Sequence, residues 1–190
     1  MKHIAKKALL CIILMSAVIR FLAFPSQAAM TELVVPRIQQ VKSNWCWAAA
    51  AEMAGKYKYS SSTRTQSNIV AYIKGSSTNN DTGSIFETAN ATEYVTYNNY
   101  GLSATWFIRW DFSKVKTSID NGYPVIPLVN DGNSGHYYVI RGYDSQTGEI
   151  AVNDPWDGSR KVVTWSNFDS GNWSESRPHK YTVYFDGYTS

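Results

Sequence analysis

The hydrophobic period of the chain changes near residue 102, and this restricts the fold more than any other feature of the sequence. Upstream lie helix-forming stretches; downstream, apolar and β-branched residues recur at the short period of strands. A first helix is expected from about Trp45 to Tyr57, with Ala48 to Ala51 as strong helix formers and Ser43 or Asn44 as its N-cap. A short helix over 68–74 ends at Gly75, and the polar loop SSTNNDTG follows. The stretch 84–101 reads as a third helix, opened by a Ser84/Glu87 capping box and stopped by Gly101. Residues 102–110 are strand-like, and 111–122 form a short helix closed by Gly122. From Tyr123 onward YPVIPLV, HYYVIRGY, EIAV, RKVVTW and KYTVYF read as strands, with DGNSG and DSQTG as turns. Pro124 and Pro127 push the first of these toward an edge or interrupted position. Helices first and an antiparallel sheet second is an α+β arrangement.

The beginning of the chain follows a different logic. MKHIAKK is basic, ALLCIILMSAVI is apolar, and Ser26 and Ala28 supply the small residues of a cleavage site. Residues 1–28 therefore read as a secretory signal peptide, and 29–190 as a single domain. Arg20 interrupts the apolar run before it reaches the ~20 residues of a membrane span. Removing Lys2, Lys6, Lys7 and Arg20 with the signal takes the formal charge from +3 to −1. The basicity of the whole chain thus gives no reason to expect nucleic acid or an anionic membrane as partner. The expected product is exported.

Cys11 leaves with the signal and sits too far from the cleavage site for a lipid anchor, so Cys46 is the lone cysteine of the remaining domain. It cannot form an internal disulfide. It is either a small buried hydrophobe, a partner for another chain, or a thiol kept reactive. Its place at the head of an alanine-rich helix suits the last of these. A thiol in a first helical turn faces free N–H groups and the positive end of the macrodipole, which favour a thiolate.

A thiolate nucleophile needs a base, a group that orients the base, and a donor for the developing oxyanion. Of the two remaining histidines, His136 opens a strand after Gly135, whereas His179 sits beside proline and charge like a solvated turn residue. Asp154 lies 18 residues after His136, one hairpin away, and Asn153 is its uncharged rival. Gln40, six residues before Cys46, is the candidate oxyanion donor, with Gln39 as alternate. Trp45 is a candidate lining of a cleft and Trp156 a candidate shield over the histidine; Trp47 reads as core. No His or Cys spacing suggests zinc, neither turn has the spacing of a calcium loop, and no cofactor is expected.

Gln40, Cys46 opening a helix, GHYYVIRGY and VNDPW, taken in order, resemble the papain-like cysteine peptidases. The aspartate at 154 and the phrases around it are similar to the bacteriocin-transporter peptidase branch and to secreted cysteine-protease effectors of plant-pathogenic bacteria. The resemblance runs from about Pro36 to Phe185. It implies an N-terminal helical lobe whose central helix carries the cysteine and a C-terminal antiparallel β lobe. It further implies Cys46 as nucleophile, His136 as general base and acid, Asp154 as orienter and Gln40 as oxyanion donor, acting on protein or peptide through a thioester. The Cys-Gly-Ser-Cys-Trp signature of plant and lysosomal papains is absent. The 17 residues between position 29 and Cys46 leave no room for a long inhibitory propeptide, so control is expected from secretion, a partner or external conditions. A cell-wall amidase or endopeptidase, an acyl or peptidyl transferase, and an inactive binding protein are the competing readings. The long Cys-to-His interval weighs against the first, and the presence of every expected catalytic residue type weighs against the last. No residue pattern names the substrate, an inhibitor or a host target.

Overall fold

The structure, a computed structural model, describes residues 30–97, 103–173 and 176–186. The expected signal peptide lies outside the described residues, as does Gly101.

Helix α1 (Cys46–Lys58) is the central element, and every residue from Cys46 to Gly55 is buried. A helix apolar on all sides must be enclosed on all sides, and the small side chains of Ala48 to Ala51 let its neighbours approach closely. Gly55 is the extreme case: a Cβ there would lie 2.5 Å from Val95 of helix α3. Lys56 and Lys58 occupy the last turn, where cations complement the macrodipole. Helix α2 (Gln66–Lys74) begins where Asn68 Oδ1 accepts the Thr65 N–H at 3.0 Å, and it ends on Gly75 at φ 76°. Helix α3 (Ile85–Val95) carries the expected Ser84/Glu87 capping box, but stops well short of the expected position 101. Thr88 and Thr92 turn their hydroxyls back onto carbonyls one turn earlier, an arrangement that weakens helix propensity. Helix α4 (Phe112–Asp120) starts at Asp111, which accepts the Lys114 N–H at 2.9 Å.

The β lobe is built from β1 (Thr31–Glu32), β2 (Ala104–Ile108), β3 (Ile126–Asn130), β4 (Gly135–Tyr137), β5 (Val139–Asp144), β6 (Glu149–Asp154), β7 (Ser159–Thr164) and β8 (His179–Phe185). All pairings are antiparallel, in the orders β1-β5-β6-β7 and β2-β8-β3-β4. The expected strand HYYVIRGY is divided at Tyr138. Its N–H reaches Pro127 O at 3.2 Å, and Val125 bridges Ile140, so the two sheets are stitched together at that point. Around it, Tyr137 and Val139 enter the core shared with α1, while Tyr138 and Ile140 enter a second core beneath α4.

Three expectations about this lobe are corrected, the first in part, since the interruption expected of β3 is present and the edge position is not. β3 is flanked on both sides, by β8 and β4, and is no edge strand. Pro127 is accommodated because its carbonyl still serves the ladder and a register shift follows at Leu128/Val129. His179 is no solvated turn residue. It opens β8 at 1 % exposure, with its ring between Thr182 Oγ1 (2.9 Å) and Asp169 Oδ1 (3.3 Å). The end of the expected strand RKVVTW instead begins a helix, α5 (Trp165–Ser170), which Thr164 opens and Gly171 closes at φ 82°.

Candidate active site

Cys46 is the first residue of α1 and is 9 % exposed. The N-cap is Trp45, and no side chain caps the helix. Neither expected cap fills that role, because both are engaged with a distant loop. Asn44 Nδ2 donates to Asn80 O at 2.7 Å, and Asn80 Nδ2 donates to Ser43 Oγ at 3.0 Å. Trp45 and Trp47 pin the same loop through their indole N–H groups, to Asn79 O and Asp81 O. Trp45 is therefore 1 % exposed and packs in the core, which corrects its expected place lining the cleft. The first turn of α1 thus meets the cysteine without a competing side-chain acceptor.

β4 and β6 bring the second and third residues to the helix start. His136 Nε2 lies 2.8 Å from Asp154 Oδ1. Both side chains are buried, at 7 % and 3 % exposure. Asp154 is held at both oxygens: Oδ1 also accepts the Trp156 N–H at 2.9 Å, and Oδ2 accepts from Lys161 Nζ at 2.5 Å. Burial opposes a charge on His136, but its hydrogen bonds to Asp154 and Cys46 and the nearby negative charge outweigh it and push the imidazole up to about 9. Burial likewise disfavours the Asp154 carboxylate, yet donation from His136 and Lys161 brings it down to about 2. The imidazolium and carboxylate forms are thus both favoured through the neutral range. Tyr138 packs edge-on against the His136 ring, centroids 4.6 Å apart.

The rival residues go elsewhere. Asn153, fully buried, faces away from His136 and donates to Pro36 O at 3.1 Å, while its Oδ1 accepts from Arg141. It fastens the segment that follows β1 to β6. Strand alternation explains this, since successive residues of β6 leave on opposite faces. Gln39 donates to Trp156 O at 3.1 Å, and Gln40 N–H donates to Pro155 O at 2.7 Å. The approach to α1 therefore runs alongside the turn that follows Asp154. The Gln40 amide nitrogen donates to Lys42 O and Ser43 O at 2.9 and 2.8 Å, and its Oε1 is buried without a partner. Trp156 stands at the rim, 61 % exposed, and its hydrogen bond into the pair comes from the backbone.

A cleft of about 270 Å³ opens beside Cys46 between Gly83 and Ser84 on one lip and Asn130, Ser134 and Gly135 on the other, with Tyr137 at its base. Tyr137 donates to Gly83 O at 3.2 Å and ties the lips together. A second depression, of about 280 Å³, lies beside Gln40, between Val41 and Trp156. Lys161 is the residue of this neighbourhood that the sequence reading missed. Its signal was its position on the strand paired with β6, seven residues beyond Asp154.

Residues 32–181 match the Peptidase_C39 like family. A search of curated proteins found no match. Among solved structures, a C39-like peptidase of Bacillus anthracis superposes with a TM-score of 0.60 at 15 % identity, covering 83 % of this chain and 98 % of that one. A double glycine motif protease from an AMS/PCAT transporter, in complex with its leader peptide, gives 0.55 at 20 % identity, covering 81 % and 93 %. The N-terminal peptidase C39 like domain of the toxin secretion ATP-binding protein of Vibrio parahaemolyticus gives 0.50 at 15 % identity, covering 77 % and 100 %. With the family match extending over most of its length, the chain belongs to the Peptidase_C39 like family and is a papain-like cysteine peptidase.

Proposed function

We propose that this peptidase is exported and hydrolyses peptide bonds through a thioester acyl-enzyme, with Cys46 as nucleophile, His136 as general acid and base, and Asp154 as the group that orients the histidine. The single observation that carries this is the junction of three elements at one point: the uncapped start of α1, the first strand residues after Gly135, and the end of β6. An imidazolium held by Asp154 stabilises the Cys46 thiolate beside it. The thiolate attacks the scissile carbonyl carbon, and the carbonyl electrons move to oxygen. First-turn N–H groups of α1 and one N–H of Gln40 receive that oxyanion, the other Gln40 N–H staying on the loop carbonyls. Collapse expels the amine, which takes the proton from His136 and leaves a thioester. Water, deprotonated by the now neutral His136, attacks the thioester and releases the acid. Asp154 keeps the imidazole oriented and supports its charge throughout.

A peptide substrate is supported by the family and by the neighbour crystallised with a leader peptide. Export rests on the basic, apolar and small-residue pattern of positions 1–28. The test is digestion of an unbiased peptide library by the purified protein, read by mass spectrometry, beside Cys46→Ala and His136→Ala. Cleavage at defined bonds that both variants abolish is the expected result. Cleavage that survives Cys46→Ala would overturn the assignment.

A further inference from the structure

The hydrogen-bonded chain at the site does not end at Asp154. Lys161 Nζ lies 2.5 Å from Asp154 Oδ2, the oxygen that His136 does not use, and 3.5 Å from Asp157 Oδ2. Asp154 is buried, whereas Lys161 is partly exposed on β7, so the ammonium approaches a buried carboxylate from the solvent side. We propose that Lys161 is a positioning residue that fixes the pH window of the Cys46–His136 pair by sharing the charge of Asp154. This rests on the ion-pair reading of the site given above.

The physical argument concerns one carboxylate with two cationic partners. Asp154 holds the proton on His136 by its negative charge; Lys161 offsets part of that charge and repels a second cation nearby. The lysine also keeps Asp154 ionised in acid. Both effects move the working range of the pair toward lower pH. The carboxylate does not depend on Lys161 for its place, because the Trp156 N–H and the β6 backbone hold it as well. The groups facing the pair are Cys46 from α1, Tyr138 edge-on against the His136 ring, Lys161 from β7 and Asp157 from the β6–β7 turn, with Tyr137 close to Cys46. Arg141 and Arg160 are both committed to Glu32, at 2.9 and 2.7 Å.

Alkylation of Cys46 by iodoacetamide needs no knowledge of the substrate. Its rate changes as His136 loses its proton, and NMR of the His136 ring follows that step directly. In the unmodified protein that step falls at about 9. Lys161→Met raises it by about half a pH unit or more, and Lys161→Arg, which retains charge and donor, returns it to within about 0.3 of the unmodified protein. A step that is unmoved or lowered in Lys161→Met overturns the role of Lys161. The companion variant His136→Ala separates the two ideas. If His136→Ala is alkylated at about pH 6 as fast as the unmodified protein, the ion-pair reading itself falls; if it is slowed there but the His136 ring titration ignores Lys161→Met, only the lysine proposal falls.

Discussion

His136 Nε2 and Asp154 Oδ1 lie 2.8 Å apart between the two sheets, the histidine on β4 and the aspartate as the last residue of β6. The bond from Tyr138 N–H to Pro127 O, where the sheets join, and the hairpin of β5 and β6 together fix the geometry of the pair, and α1 delivers Cys46 to it. The basicity of the histidine draws on both lobes, because Asp154 of the β lobe and Cys46 of α1 both favour its charged form.

The charged pair gives the molecule a defined pH profile of stability. His136 is raised from 6.5 to about 9, so its contribution is fully present below about 6.5 and is lost as pH rises through 9. Asp154 is lowered from 3.8 to about 2, so its contribution is present above 3.8 and is lost as pH falls through 2. The two shifts describe one interaction and do not add; together they are worth on the order of 3 kcal/mol. Denaturant midpoints should be highest between about 4 and 6.5 and should decline toward 9. His136→Gln should flatten the alkaline decline, and an unchanged decline in that variant would contradict the assignment.

Adjacent residues of β6 should separate catalysis from folding. Asp154→Asn keeps the shape but removes the charge that supports the imidazolium, and kcat should fall by ~100-fold or more in a folded protein. Asn153→Ala strands the Pro36 carbonyl and part of Arg141 in a buried region. It should cost about 1–3 kcal/mol of stability, measured by urea unfolding, and leave kcat within about threefold while the protein stays folded. Equal kinetic effects from the two substitutions would show that the face assignment is wrong.

What the sequence made legible was local. The alanine run, the Ser84/Glu87 box and the turn at 144–148 each encode their geometry within a few residues, and the hairpin then returns Asp154 toward the segment of His136. What it concealed depends on partners far along the chain. Ser43 and Asn44 have the chemistry of caps, but Asn80 takes them, 36 or more positions away. Trp45 looked like a cleft residue and is buried because the 79–81 loop folds over it. His179 lies between proline and lysine, yet the register shift of β8 opposite Leu128/Val129 lets its ring meet Thr182, three residues on. The choice between Asn153 and Asp154 was likewise a question of sheet register, which no short motif specifies.

The close approach of α1 and α3 supplies a test of the helical lobe. A Cβ on Gly55 would lie 2.5 Å from both Cβ and Cγ1 of Val95, a β-branched side chain with no free rotamer to retreat into. Gly55→Ala should therefore destabilise by ~1–3 kcal/mol, although alanine is the better helix former. Val95→Ala alone leaves a small void, and in combination with Gly55→Ala it should restore part of the loss. A double-mutant cycle in denaturant should return a favourable coupling of about 1 kcal/mol; additive effects would mean that the helices do not touch at this point.

Gln40 is where structure and mechanism make the sharpest joint demand. Its amide nitrogen holds the loop carbonyls of Lys42 and Ser43, and its Oε1 is buried with no partner. Those two carbonyls engage the nitrogen in the resting structure, so an oxyanion must take over one of its N–H groups. Gln40→Ala removes the orphaned oxygen together with the donor. Unfolding free energy should then change by less than about 1 kcal/mol, while kcat falls by ~100-fold with KM nearly unaltered, the pattern of a contact made only in the transition state. Gln40→Glu sets a carboxylate against the carbonyls of Lys42 and Ser43 and against the forming oxyanion, and should lower both stability and kcat further. A Gln40→Ala enzyme with unimpaired kcat would assign the oxyanion to the α1 amides alone and leave Gln40 as a brace of the loop before Cys46.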